Sequence, residues 1–202
     1  MFTGLIREIA EVADFSGNTL SIKAKYKPKI GDSVCVNGAC LTVTEISAGG
    51  FKVELSHESR KILAVENLKG FVHIEPAMTL GSRIDGHLLQ GHVDAVGEIV
   101  KIEKDENGVD FFIKSPKEIM KFLSSKGSVA IDGVSLTVGE ITENVFKLTI
   151  IPHTFSKTVL NSYKVGRRVN IETDMIARYL YNLTTKKEID EWAKIDRIMA
   201  LY

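Results

Sequence analysis

The chain is written twice. Residues 36–46 read VNGACLTVTEI and residues 131–141 read IDGVSLTVGEI, with Gly, Leu, Thr, Val, Glu and Ile identical at aligned positions and no gap needed. The echo extends on both sides: Phe51-Lys52-Val53 returns as Phe146-Lys147-Leu148, and Gly70 with Val72-His73-Ile74-Glu75 returns as Gly166 with Val169-Asn170-Ile171-Glu172. Upstream, the stretch from Phe2 to Glu11 answers that from Leu89 to Glu98 at a different offset, which requires a change of loop length within the repeat. Two copies of roughly 90 residues specify a duplicated domain, because a solenoid uses shorter repeats and at least about three of them. The boundary falls near Gly86, giving an N-terminal unit over 1–86 and a C-terminal unit over 87–183. From about Asp174 nothing matches the first copy, and 184–202 is expected to form a C-terminal helix.

Within each copy, short apolar stretches rich in Val, Ile, Thr and Phe are interrupted by Gly, Asn or Asp about every eight to twelve residues, the pattern of an all-β barrel or sandwich. Asn37-Gly38 and Asp132-Gly133 suit the positive backbone angles of a two-residue hairpin turn. Ser33–Val36 should therefore pair with Cys40–Ile46, and Ser128–Ile131 with Ser135–Ile141. A short helix is expected in each copy; the clearer is Pro116–Leu123, with proline at its start and Ile119, Phe122 and Leu123 on one face. In the tail, Thr185-Lys186-Lys187-Glu188 reads as a capping box, followed by Ile189, Trp192, Ile195, Ile198, Met199 and Tyr202 at spacings of three and four. That apolar stripe must pack on the barrels or on the same helix of another subunit.

Charge excludes some functions. The 26 Lys and Arg balance 26 Asp and Glu, and no basic run is interleaved with aromatics, so neither a nucleic-acid nor an acidic-membrane surface is indicated. Glu8 interrupts the N-terminus where a secretory signal would be apolar, and no apolar run approaches the roughly 20 residues of a membrane helix, so the expected compartment is the cytoplasm. Cys35 and Cys40 lack the spacing and partners of a zinc site, and a cytosolic setting disfavours a disulfide. Absent a motif, each reads as a small buried hydrophobe.

Side chains alternate across a strand. If Leu41 and Val43 fill one barrel and Leu136 and Val138 the other, then Cys40, Thr42 and Thr44, and likewise Ser135 and Thr137, form matching polar stripes outside. A solvated face is the plain alternative, but the same stripe beside the strongest turn of both copies points to two similar ligands. His87 and His92, five apart, would face opposite sides of a strand and make a poor metal pair. Each is either a satisfied, half-buried ring or a proton carrier. No Gly-x-Gly-x-x-Gly opens a helix after a strand, and there is no phosphate loop and no Gly-x-Ser-x-Gly elbow.

The opening MFTGLI, then VNGACLTV, GHLLQGHVD, KGSVAIDGVSLTV and IPHT, the last at Ile151–Thr154, stand in the order and spacing of the riboflavin synthase family, which the sequence resembles over nearly its whole length. The resemblance implies two tandem Greek-key six-stranded β-barrels with a C-terminal α-helix, assembled as a homotrimer through those helices. Each barrel would bind one 6,7-dimethyl-8-ribityllumazine, the N-terminal barrel of one subunit meeting the C-terminal barrel of the next. The implied reaction is a dismutation with no cofactor and no metal. One lumazine gives up four carbons and leaves as 5-amino-6-(D-ribitylamino)uracil, and the other becomes riboflavin. Association with lumazine synthase is a further partner the resemblance suggests.

By the same resemblance, Cys40, His92 and Ser33 match residues assigned to nucleophile activation and proton transfer. Lys126, Asp132, Ser135 and Thr137 match the second-barrel pocket. Gly4, Leu5, Ile6, Leu41, Thr42, Gly91, Val93, Leu136, Ile151, Pro152 and Thr154 match ring contacts, with His153, Phe155 and Ser156 beside them. Glu54, Leu55, Ser56, His57, Glu58 and Ser59 match the ribityl side of the first site. Two positions depart from the family pattern: Asp85 where a second Gly is usual, and Ser59 where Thr is usual.

Two rivals remain at this level. A non-catalytic relative of the lumazine-protein type, which binds lumazine or flavin as an optical antenna, tends to lose the Cys and the His that this chain keeps. A flavin-carrying reductase barrel would be joined to a nucleotide-binding α/β domain, for which the sequence has no pattern. If the tail stripe is the subunit contact, deleting Ile189–Tyr202 should lower the mass measured by light scattering; an unchanged mass would move the contact elsewhere.

Overall fold

The computed structural model describes residues 1–106 and 108–185. Twelve strands among them form two closed six-stranded barrels. The first contains β1 (Glu8–Ser16), β2 (Thr19–Lys23), β3 (Ser33–Val36), β4 (Ala39–Ser47), β5 (Gly50–Glu54) and β6 (Phe71–Pro76). The second contains β7 (Ala95–Lys104), β8 (Val109–Lys114), β9 (Ser128–Ile131), β10 (Val134–Ile141), β11 (Val145–Ile150) and β12 (Arg168–Thr173). The first closes in the order β1-β2-β5-β4-β3-β6 and the second in the matching order, all pairs antiparallel. Three hairpin-linked strands with β2 returning beside β5 make a Greek key, and closure leaves no sheet edge exposed.

The hairpins fall where the turn dipeptides place them. Val36 pairs with Ala39 and Ile131 with Val134; between them Asn37 and Asp132 both have φ 45° and are followed by positive-φ glycines, the geometry that fixes a two-residue turn. Register shifts also recur, between Val43 and Glu45 in β4 and between Val138 and Ile141 in β10, so the second copy inherited the bulges of the first. Leu20, Phe51 and Val53 fill the first barrel, and Phe111, Ile113 and Phe146 the second. Burying such side chains contributes roughly 1.5–3 kcal/mol each.

Helices differ from expectation in place more than in kind. The first copy carries α1 (His57–Ile62), capped by Ser56, which accepts from the Ser59 amide. The second carries the expected α2, trimmed to Lys117–Met120, and also α3 (Pro152–Lys157), which is the partner of α1 in the repeat. Residues 175–185 are helical, with Asp174 Oδ1 accepting from the Ile176 amide at 2.8 Å. Thr185 therefore lies inside this helix, donating to the Tyr181 carbonyl, and is not the cap of a later one. Asp174 takes that role because a short acceptor leaving a strand can satisfy the first free amides. The stripe from Ile189 to Tyr202 lies outside the described residues.

The barrels are joined about a local two-fold axis at the hairpin turns. Asn37 Oδ1 accepts from the His73 amide, and Asp132 Oδ1 accepts from the Asn170 amide, both at 2.8 Å. The side chains of His73 and Asn170 then cross over. His73 Nδ1 meets the Asp132 carbonyl and its Nε2 the Val159 amide, both at 2.9 Å. Asn170 Nδ2 donates to the Asn37 carbonyl and its Oδ1 accepts from the Ala64 amide, both at 2.8 Å. A carbonyl only accepts and an amide only donates, so His73 is the neutral tautomer with its proton on Nδ1.

Burial pushes the His73 pKa down from 6.5 to about 4. The unfolded chain takes up that proton first as pH falls, so the stabilisation is whole above pH 6.5 and is lost on the way to pH 4. Replacing His73 by Asn, the residue at this place in the other copy, should give a protein less stable at pH 7. Its deficit relative to the parent should shrink by about 2–3 kcal/mol by pH 4. Asp132 and Glu172 titrate in both proteins and largely cancel. Denaturant melts at both pH values read this, and a constant deficit would refute it.

Candidate active site

The two polar stripes stand as the alternation requires. On β4, Leu41 and Val43 are buried in the barrel, Thr42 and Thr44 are exposed, and Cys40 is half-buried; on β10, Leu136 and Val138 are buried, Thr137 is exposed and Ser135 half-buried. Ser33 sits across from Thr42 on β3, and Ser128 holds the same place opposite Thr137. Each stripe is bordered by a segment from the other copy, an exchange that periodicity does not reveal. The Cys40 amide donates to the Gly91 carbonyl and the Ser135 amide to the Gly4 carbonyl, both at 2.9 Å. Val93 joins the first barrel's core while Ile6 packs against the second's.

These segments run through the crevice between the barrels, bridged where Phe2 pairs with Leu89. Two buried carboxylates hold them. Glu75 accepts from the Thr3 amide and hydroxyl at 2.8 Å and from the Gly4 amide at 2.9 Å. Glu172 accepts from the Gln90 and Gly91 amides at 2.7 and 3.0 Å. Burial raises both pKa values, that of Glu172 to about 7, against the opposing pull of the bonds they accept. Sequence reasoning passed over both, although a glutamate repeated within an apolar strand of each copy was a legible signal.

Around this frame the predicted residues separate into two groups. In the first, His92 follows Gly91, whose carbonyl accepts from the Cys40 amide, and is exposed, with its ring free of hydrogen bonds among the described residues. In the second, Ser135 lies against Gly4, and the residues that follow, Leu5 to Ile9, line a cavity of about 470 Å³ together with His153, Ser156 and Lys157, a lining that does not include Ser135 or Thr137. Leu5 stands where the first site has His92. The exposed Glu54, Ser56, His57 and Glu58 and the half-buried Ser59 sit on or next to α1; Ile151, Pro152, Thr154 and Phe155 occupy the corresponding part of α3. Lys126 is exposed in a left-handed conformation, φ 67°, where the first copy has Gly31.

Some expected contacts are not available to side chains. Leu41, Leu55, Val93 and Leu136 are turned into the cores, leaving only their backbone for a ligand. Asp132 is fully buried between the barrels, where Tyr163 donates to it at 2.5 Å. Its carboxyl is thus set apart from the pocket it was expected to line; burial raises its pKa to about 6. His87 and His92 do fall on different sides, but on an irregular segment and not a strand. His87 is buried, with Nδ1 2.7 Å from Ser135 Oγ. Asp85 and Ser59 stand in exposed or half-exposed places, Asp85 paired with Arg83 at 2.9 Å.

A family model described as the lumazine binding domain matches residues 3–76 and again residues 90–174. The riboflavin synthase of Photobacterium phosphoreum is 40% identical over 206 residues, covering 96% of this chain and 94% of that protein. The riboflavin synthase of Bacillus subtilis (strain 168) is 38% identical over 195 residues, covering 92% and 91%. Among solved structures, LumP complexed with riboflavin superposes with a TM-score of 0.77 at 23% identity, covering 86% of this chain and 99% of that one. LumP complexed with 6,7-dimethyl-8-(1'-D-ribityl) lumazine gives 0.75 at 22% identity over the same shares.

At Gly91, φ is 75° and an added Cβ would lie 2.5 Å from Cys40 Cβ and 2.7 Å from the Cys40 amide. Gly91→Ala should therefore destabilise the fold by about 2–4 kcal/mol, from left-handed strain together with a clash against backbone. Thermal or denaturant unfolding measures this, and a loss below about 1 kcal/mol would mean that the segment is not held against β4 as described.

Proposed function

The chain belongs to the lumazine-binding domain family, within its riboflavin synthases, and we propose that it makes riboflavin from two molecules of 6,7-dimethyl-8-ribityllumazine, releasing 5-amino-6-(D-ribitylamino)uracil. The observation that carries this reading is identity of 40% over nearly the whole length of a riboflavin synthase. The LumP structures, at 22–23% identity, share the fold alone. The two products together contain all the atoms of the two substrates, so the reaction consumes no oxidant, reductant or second co-substrate.

The substrate brings much of the reactivity, since its C7 methyl is acidic and the resulting anion is delocalised through the ring. What remains for the protein is to align two rings, worth several kcal/mol of the barrier, and to move protons. Two near-identical outer stripes fit two identical heterocycles. Their difference fits two roles: the first has a thiol at Cys40 and a ring at His92, while the second has Ser135 and the apolar Leu5, with Ser33 and Thr42 of the first matched by Ser128 and Thr137 of the second. In this reading Cys40, His92 and Ser33 activate the nucleophile and carry protons at the first barrel. Ser135, Thr137 and Lys126 hold the second lumazine.

A ligand on the outer face of a barrel is shielded from water when a second barrel covers it, so the reading extends to a homotrimer in which the first site of one subunit meets the second site of the next. It also places the enzyme in the cytoplasm, where it can associate with lumazine synthase. Among the described residues no helix is long and apolar enough to cross a membrane.

Purified protein should convert 6,7-dimethyl-8-ribityllumazine to riboflavin without added metal or cofactor, seen as growing flavin fluorescence; binding without turnover would favour an antenna of the LumP type. Cys40→Ser and His92→Gln should each slow turnover by about 10²- to 10⁴-fold while changing lumazine affinity far less. Unchanged rates would remove both residues from the mechanism.

A further inference from the structure

The segment Gln90–Asp94 and its counterpart Thr3–Arg7 are each held by a buried glutamate, and the first of them carries an additional restraint from the tail helix. Arg178 Nη1 donates to Asp94 Oδ1 at 2.5 Å and its Nη2 to Gln90 Oε1 at 3.0 Å. The ion pair is mostly shielded, with side-chain exposures of 19% and 14%. Asp94 Oδ2 also accepts from the Thr173 amide and hydroxyl, both at 2.7 Å. Gly91 between them is fixed at its amide by Glu172 and at its carbonyl by Cys40. Of these five residues, His92 alone is exposed.

Among the described residues the first copy has no equivalent clamp. Arg7 stands where Asp94 would be, Thr3 where Gln90 would be, and Leu5 where His92 would be, so Glu75 holds that segment without an arginine fork from a helix. The extra restraint is found only on the segment that carries a side chain able to move a proton. Tail-helix docking fits the same purpose: Tyr181, one turn further along, packs edge-on against Phe122 at 5.5 Å, anchoring the helix to the second barrel.

We propose that Arg178 is a positioning residue for the first site, setting the place of His92 by clamping Gln90 and Asp94 on either side of it. The inference rests on the reading of the chain as a riboflavin synthase with His92 among its proton carriers. Its physical basis is that catalysis falls steeply with small displacements: shifting a reacting group by about 1 Å can cost on the order of a hundredfold in rate. A guanidinium suits the task because its planar fork meets two acceptors at once, which an ammonium does less well.

The test compares the full-length parent with Arg178→Ala, Arg178→Lys and Asp94→Asn, measuring kcat and KM with 6,7-dimethyl-8-ribityllumazine and mass by light scattering. Arg178→Ala should lower kcat by about ten- to a hundredfold with KM changed less than about threefold and mass equal to the parent's. Asp94→Asn should show the same split, and Arg178→Lys, which still reaches Asp94, should recover most of the lost rate. A kcat for Arg178→Ala within about twofold of an active parent overturns the proposal. So does a fall in kcat accompanied by a fall in mass and not relieved in Arg178→Lys, which would make Arg178 a docking contact only. An inactive parent instead overturns the functional reading.

Discussion

Two buried glutamates govern this molecule. Glu75 and Glu172, each near the end of the last strand of its barrel, take the backbone amides of the segments that thread between the barrels. A carboxylate held away from water requires donors placed around it, and backbone amides are such donors only when the chain runs past in one conformation. The glutamates therefore dictate where Thr3-Gly4 and Gln90-Gly91 lie. Those segments in turn give their carbonyls to the opposite barrel at Ser135 and Cys40. Neither site is complete without the other copy.

Duplication followed by divergence explains the chemistry as well as the shape. The turns, bulges and glutamates match between the copies, and so do Thr42 with Thr137 and Ser33 with Ser128, whereas Cys40 and Ser135, and His92 and Leu5, do not. One stripe has Cys40 with His92 nearby, and the other has Ser135 with Leu5 nearby and His87 behind it. A scaffold that offers the same surface twice suits two copies of one substrate, and unlike functional groups on the two surfaces let those copies be treated differently. The same divergence marks the interface, where His73 answers Asn170. Both make the same crossing bonds, but only the histidine introduces a group that can titrate.

Much of the fold was legible before any coordinates. Asn37-Gly38 and Asp132-Gly133 located the hairpins because few residues accept their backbone angles, and strict alternation put Thr42 and Thr137 outside because a strand has only two faces. The helices were read less well. Six residues at His57–Ile62 carry too weak a period to stand out, and Thr185, read as a cap, lies in a helix that Asp174 had already begun. Asp132 was expected at the pocket through the family resemblance; its full burial follows from the first barrel lying against its turn, which no pattern along one strand can show.

The sequence by itself determined the duplication, the all-β class and the two matching stripes, since these rest on motifs repeated along the chain and on the two faces of a strand. Tertiary structure decided which segment borders which stripe, that His87 is buried against Ser135 while His92 is exposed, and that Arg178 reaches the segment bearing His92. Those are contacts between groups 48 or more positions apart in the chain. They exist because buried charges and amides must find partners wherever the packed barrels bring them together, a condition set by three-dimensional closure and not by local pattern.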